Sequence, residues 1–189
     1  KRYFVRGKLG ETSDTLDCEG EIIQTQPFEH LSEAEVIEAT MSFKGDILQV
    51  PPMYSALKKD GQPLYKLARQ GIEIERKARP VSIHEINFIS YENGILTLDV
   101  SCSKGTYIRS LIQDIGDKLG CGAHVVELRR TGFAHIDVSQ TIKFSDLENL
   151  ATDDYHRLDE IILPSDQMLP NIQDITLDNE QAIDIKYGR

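Results

Sequence analysis

Residues 81–102 read VSIHEINFISYENGILTLDVSC, two stretches in which apolar and polar residues alternate on either side of Asn93-Gly94. Alternation with a period of two marks a half-buried strand, and Asn-Gly suits the tight two-residue turn of a hairpin. Directly afterwards, residues 107–119 carry Ile108, Leu111, Ile112 and Ile115 at the spacing of one helix face. The period changes across Ser103, Lys104, Gly105 and Thr106. A hairpin that hands straight over to an amphipathic helix points to the α+β class, with a mixed, largely antiparallel sheet and flanking helices.

The remaining segments fit that class. Residues 3–9 and 21–25 read as strands around GETSDTLDCEG, a turn-rich and acidic stretch. Ser32, followed three residues later by Glu35, forms a capping box that opens a helix through Val36, Ile37 and Met41. Pro51-Pro52 and Asp60-Gly61 break residues 45–80, which hold a short helix over 64–70. GCGAHVVELRRTGFAHIDVS predicts a short helical or turn segment and then a strand. Short helices are expected over 145–150 and 155–162, loop from Pro164, and one more helix in the closing DNEQAIDIKYGR.

The formal net charge is −10, which at first weighs against a nucleic-acid partner. The charge is unevenly placed, however. Residues 144–189 carry eleven acids and three bases, whereas residues 57–80 carry seven bases, Lys58, Lys59, Lys66, Arg69, Arg76, Lys77 and Arg79, against three acids. Screening limits exposed charges to a range of about 10 Å, so local balance decides phosphate contact. No apolar run approaches the roughly 18 residues of a membrane span. Three cysteines without a C-x-x-C spacing suit free thiols in a reducing compartment, and with no evident signal peptide the expected location is cytoplasmic. The chain opens on KRYFVRGKLG rather than on Met, so a missing N-terminal part is expected.

Several residue patterns could carry chemistry, each with a plainer alternative. The junction at 102–116 offers helix N–H groups to an anion, though the P-loop spacing is absent. Its alternative is a simple turn with Gly105 at the bend, Thr106 as N-cap, and Tyr107 and Arg109 as a surface pair. The basic segment 57–80, interleaved with Tyr54, Leu57, Tyr65 and Leu67, suits an RNA backbone and an unstacked base, or else a solvated loop. Cys121 and His124 form one C-x-x-H pair without a second, so no metal site is expected. Asp14 and Asp17 are either acid/base groups or Asx-type turn residues.

In order along the chain come KRYFV, LGETSDTLDCEG, QVPPMYSALKKDGQPLYKLARQGIEIERKARPV, SCSKGTYIRSLIQDIGDKLGCGAHVVELRRT and DNEQAIDIKYGR. Taken together these resemble the later part of bacterial tRNA pseudouridine-55 synthases of the TruB family. The resemblance covers nearly the whole chain and is weakest over residues 144–174. It implies a pseudouridine-synthase catalytic fold, incomplete at the N-terminus, over 1–170. Residues 51–80 would be a thumb-like RNA-binding insertion, and 171–189 a linker and the start of a C-terminal PUA-type RNA-binding domain.

The resemblance further implies an isomerase that flips a uridine out of the tRNA T loop and rejoins its base through carbon, with no metal or organic cofactor. The family's nucleophilic aspartate lies in a Gly-Gly-x-Thr-Gly-x-Leu-Asp-Pro-like motif upstream of the Lys-Arg-Tyr strand. These residues contain no such motif, so the chain alone is expected to be inert. By the same resemblance, Tyr3 would stack on the flipped uracil and Arg109 would pair with the upstream aspartate through a bidentate fork. Tyr107 and Leu128 would touch the nucleotide, and Asp17 would support the pocket from behind. Tyr54, Lys58, Lys59, Arg69, Lys104, Arg129 and Arg130 would meet RNA. Without its aspartate, Arg109 is expected to be mobile and unpaired. A monomer binding the tRNA T stem-loop is the expected assembly. The rival functions are a non-catalytic RNA-binding module and an acidic scaffold domain that binds no RNA.

Overall fold

The computed structural model describes residues 1–153, 156–164, 173 and 175–188. It holds two compact units, Lys1–Phe133 and Ala134–Arg189. The boundary expected at 170/171 lies outside the described residues.

In the first unit, β1 (Arg2–Leu9), β2 (Glu11–Ser13) and β3 (Ile22–Thr25) precede α1 (Glu33–Met41). β4 (Gly45–Gln49) leads into the insertion, which contains β5 (Lys58–Lys59), β6 (Gln62–Pro63) and α2 (Leu64–Ala68). The chain returns through β7 (Arg79–Glu92), β8 (Ile95–Cys102), α3 (Ile108–Lys118) and β9 (Ala123–Phe133). The main sheet of this unit runs β9-β1-β8-β7-β4, with every neighbouring pair antiparallel. β2 and β3 form a separate antiparallel pair.

The hairpin forms as its sequence dictates. Asn93 and Gly94 both take positive φ, 52° and 76°, which is what a turn matched to the twist of its strands requires. β8 buries Leu96, Leu98, Val100 and Cys102 completely. The apolar phase of β7 changes from Val81 and Ile83 to Ile86 and Phe88, and a register shift between Ile83 and Glu85 absorbs that change.

α3 buries Ile108, Leu111, Ile112 and Ile115, each contributing about 1.5–3 kcal/mol of apolar transfer. It lies very close to its neighbours. A Cβ at Gly7 would sit 2.6 Å from Ile112 Cγ2, and one at Gly116 would sit 2.4 Å from backbone atoms of Gly122 and Ala123. α1 opens with the expected capping box: Ser32 Oγ accepts from Glu35 N–H, and Ser32 N–H donates to Glu35 Oε2 at 2.8 Å.

Some elements depart from expectation. β4 is an edge strand that GDILQ does not signal: Ile47 packs on the core and Gln49 is buried, while Leu48 is exposed, so apolar and polar residues do not alternate with burial. The turn at Gly120 and Gly122 leads directly into β9, with no helical segment between. The Asp60-Gly61 break is the turn of a small hairpin, Lys58–Lys59 against Gln62–Pro63, again with both φ values positive.

In the second unit, β10 (Ile136–Asp137) is followed by α4 (Phe144–Asp153), α5 (Arg157–Glu160) and α6 (Asn179–Lys186). α6 opens with Asp178 and Gln181 as a reciprocal capping box. The helix expected over 155–162 is described only from residue 156.

Because the atoms facing Gly116 are backbone, they cannot rotate away. Gly116→Ala is expected to cost about 1–3 kcal/mol and lower the melting temperature by several degrees. An unchanged melting temperature would mean that α3 is free to shift.

Candidate active site

β8 hands over to α3 through a turn in which Gly105 takes φ +88°. The N-cap is Tyr107, not Thr106, and no side chain of the turn caps the helix. Thr106 Oγ1 instead lies 3.3 Å from Ser103 Oγ. The Gln49 side chain supplies what the turn does not. Its Oε1 accepts from Tyr107 N–H at 2.8 Å, and its Nε2 donates to Tyr107 O at 3.1 Å.

Arg109, in the first turn of α3, reaches three acceptors. Its Nη1 donates to Asp17 Oδ2 at 2.8 Å and to Thr15 O at 3.0 Å, and its Nη2 donates to Tyr54 O at 2.8 Å. The expectation of a mobile, unpaired Arg109 is therefore corrected: a carboxylate from within the chain holds it. The partner is 92 residues away in sequence, beyond the reach of any spacing rule. Leu16 makes the approach possible by adopting φ +64° and accepting a hydrogen bond from Val125 N–H at 3.0 Å. This turns Asp17 towards α3.

Asp17 is an Asx-type turn residue, one of the two readings of its sequence context, and is also the ion-pair partner of Arg109. Its Oδ1 accepts from Thr15 Oγ1 at 2.6 Å and from Glu19 N–H at 3.2 Å, an Asx-type turn, while Oδ2 faces Arg109. Ser13 Oγ donates to Asp17 O at 2.6 Å. The pair is three-quarters buried on each side, Arg109 23% and Asp17 26% exposed.

Tyr3 is buried on the core side of β1, opposite Val100 on one side and Arg130 on the other. The Arg130 guanidinium stands 5.6 Å from its ring centroid. Leu128, opposite Val5, is exposed and lines a cleft of about 240 Å³ with Asp17, Cys18 and Val125. Directly opposed residues share a sheet face, so Tyr3, Leu128 and Arg130 occupy one face. Arg129, opposite Phe4, is on the other. The structure thus links Arg109, Asp17 and Leu128, sets Tyr3 and Arg130 on the same sheet face as Leu128, and separates Arg129 from them.

The insertion carries a cationic cleft of about 190 Å³ lined by Lys58, Lys59, Arg76, Lys77 and Arg79, with Glu75 the one acid among its lining residues. Arg69 is elsewhere, at the C-cap of α2 over the Tyr65 ring. Tyr54 contributes its carbonyl to Arg109. Lys104 lines a third cleft of about 200 Å³ with Arg79, Gln49 and Tyr107. Gln49, Arg76, Lys77 and Arg79 were not expected as site residues. For the last three the run of basic residues was a signal; for Gln49, only a polar residue ending an apolar strand.

A larger cavity, about 410 Å³, opens along Ser110, Gln113, Asp114 and Asp117 of α3, with Asp14, Glu73 and Arg76 across it. Burial, with Asp117 as a second cause, pushes the Asp114 carboxyl up to about 6, and burial raises Asp117 as well. Cys121 Sγ and His124 Nδ1 are both taken up by backbone oxygens, at Gly122 and Glu11. Among the described residues, no three His, Cys, Asp or Glu side chains are grouped to hold a metal ion, and no helix is long and apolar enough to cross a membrane.

The fold has counterparts in solved structures. A chain of a Cbf5–Nop10–Gar1 complex is 26% identical with a TM-score of 0.60, covering 87% of this chain and 41% of that one. A chain of an H/ACA RNP bound to a substrate RNA containing 2′-deoxyuridine is 23% identical with a TM-score of 0.53, covering 86% and 37%, and shows the fold alone. The model of the TruB family pseudouridylate synthase N-terminal domain matches residues 1–108, and that of the tRNA pseudouridylate synthase B C-terminal domain matches 109–170. The chain belongs to the TruB family of pseudouridylate synthases. tRNA pseudouridine synthase B of Haemophilus influenzae (strain 86-028NP) is 48% identical over 190 residues, and that of Shewanella sp. (strain MR-4) is 47% identical over 196. Each alignment takes in all of this chain and 62% of the relative, so the chain spans under two thirds of their length.

Asp114 gives this part of the molecule a pH signature. A carboxyl whose folded pKa lies above its ordinary value contributes stability that is fully present below about 3.8 and is lost as pH rises through about 6. Asp114→Asn is therefore expected to flatten denaturation midpoints between pH 4 and 7 and to stabilise the protein at pH 7.5. The gain is about 1 kcal/mol after discounting for residual solvation. Parallel pH profiles for the two proteins would refute it.

Proposed function

We propose that this chain is the body of a tRNA pseudouridine synthase acting on the T loop at position 55. The Arg109 geometry carries this reading. A guanidinium has five N–H donors, and three hydrogen bonds from Arg109 are taken by Asp17, Thr15 and Tyr54. The two remaining N–H groups, one on Nε and one on Nη2, would serve a further carboxylate. That carboxylate is the nucleophilic aspartate, contributed from outside these 189 residues; the longer relatives leave room for it.

In the reaction the bond between ribose C1′ and uracil N1 breaks, the base rotates, and C1′ bonds to C5. The proton leaves C5 and N1 gains one, so no atom is lost and no cofactor is needed. Arg109 keeps the nucleophile ionised and oriented. Asp17 and Thr15 keep Arg109 in place. Tyr3 stacks on the flipped base and its phenol relays the C5 proton, passing its own O–H proton to solvent as it accepts, Leu128 is the apolar wall, and Tyr107 contacts the nucleotide. Flipping costs a few kcal/mol, which stacking and edge contacts offset. The cationic cleft of the insertion, with Lys58 and Lys59, meets backbone phosphate, and Lys104, Arg69, Arg129 and Arg130 are further RNA contacts. The chain works as a cytoplasmic monomer, and residues 171–189 lead into a PUA-type RNA-binding domain.

The test compares this chain with the polypeptide extended upstream, both given a T stem-loop RNA. Pseudouridine is expected only from the extended form. Binding by either form should weaken steeply with salt, because each neutralised phosphate contributes roughly −0.7 to −0.9 to the slope of log K against log salt. Salt-sensitive binding without product from the extended form would identify an RNA-binding module instead. No binding at low salt would leave the acidic scaffold.

A further inference from the structure

Gln49 is 2% exposed and is the one amide among the buried polar side chains of the described residues. It ends β4 immediately before the insertion, yet both of its hydrogen bonds go to the backbone of Tyr107, 58 residues later. An amide that donates to a carbonyl and accepts from the N–H of one residue imitates a rung of a β-ladder. It fixes that residue in translation and rotation together. Two further bonds extend the contact: Ser110 Oγ donates to Val50 O at 3.1 Å, and Arg109 Nη2 to Tyr54 O at 2.8 Å. The root of the insertion is thus registered against the first turn of α3, in a helix with no side-chain cap of its own.

We propose that Gln49 is a positioning residue: its amide sets where α3 begins and so aims Arg109 and Tyr107. This rests on the synthase reading. Gln49 touches none of the proposed reacting groups, and its effect passes through the helix start. Replacing it with Met keeps the length and removes both bonds, which leaves Tyr107 N–H without its acceptor and Tyr107 O with the helical bond from Leu111 N–H alone. The helix start is then free to drift, and small misplacement of a reacting group slows chemistry far more than it weakens binding.

The experiment uses the upstream-extended polypeptide on a T stem-loop RNA, under single-turnover conditions with enzyme in excess. With the enzyme also well above its RNA Kd, that rate constant does not depend on the fraction of enzyme that is folded, so a purely structural role would leave it unmoved. Gln49→Met is expected to slow it roughly tenfold to a hundredfold, with the RNA Kd within about twofold, since phosphate contacts govern affinity. An unchanged rate with only a lower melting temperature overturns the proposal, as does an equal rate with a weaker Kd. If Gln49→Met does not fold, Gln49→Glu decides. It keeps an acceptor for Tyr107 N–H and loses the donor, so the rate should still fall at constant Kd, and an unchanged rate overturns the proposal. No product from the unsubstituted polypeptide overturns the synthase reading and, with it, the role of Gln49.

Discussion

The Arg109 guanidinium joins three parts of the chain that nothing else among the described contacts brings to one point. One edge holds Asp17 and Thr15 in the loop after β2; another holds the Tyr54 carbonyl at the root of the insertion. Its own backbone belongs to the first turn of α3. A lysine could not do this, because an ammonium is a point charge whereas the planar fork serves several acceptors in fixed directions. The desolvation cost of a mostly buried pair is offset by the extra hydrogen bonds on both partners: Thr15 and Tyr54 carbonyls on the arginine, Thr15 Oγ1 and Glu19 N–H on the aspartate.

That junction works because its base is rigid. The hairpin and β1 bury whole rows of side chains, and α3 packs so closely on the sheet that two glycines are needed at the contact. The insertion differs. It has a two-stranded hairpin, a five-residue helix and one buried leucine, Leu64, and it displays a cluster of cations. A rigid floor with a lightly packed, cationic arm suits a protein that must hold a phosphate backbone while fixing one nucleotide closely.

Local rules made most of the scaffold legible. The Asn93-Gly94 turn, the Ser32–Glu35 box and the helical stripe of α3 all depend on neighbours within a few residues, and each is present. β4 is not legible because its buried Gln49 is polar and its exposed Leu48 is apolar, the reverse of the usual alternation. The Arg109–Asp17 pair, the Gln49 amide and the opposition of Tyr3 to Arg130 are contacts across distant segments, and residue spacing carries no signal for them. The resemblance named Tyr3, Asp17, Arg109 and Leu128. It did not reveal that Asp17 and Arg109 meet, and it grouped Arg129 with Arg130 although strand alternation sends them to opposite faces.

If one guanidinium sets both the loop and the root of the insertion, loosening it must loosen both. Hydrogen–deuterium exchange on Arg109→Lys measures this directly. The amides of Leu16 and Glu19, bonded to Ser13 O and Asp17 Oδ1, and those of Ser55 and Tyr65, bonded to Met53 O and Ser55 O, report the two sides. All four are expected to lose protection together, by about tenfold or more, while the amides of Ile95–Cys102 keep theirs. Loss on one side alone, or on neither, would contradict the account.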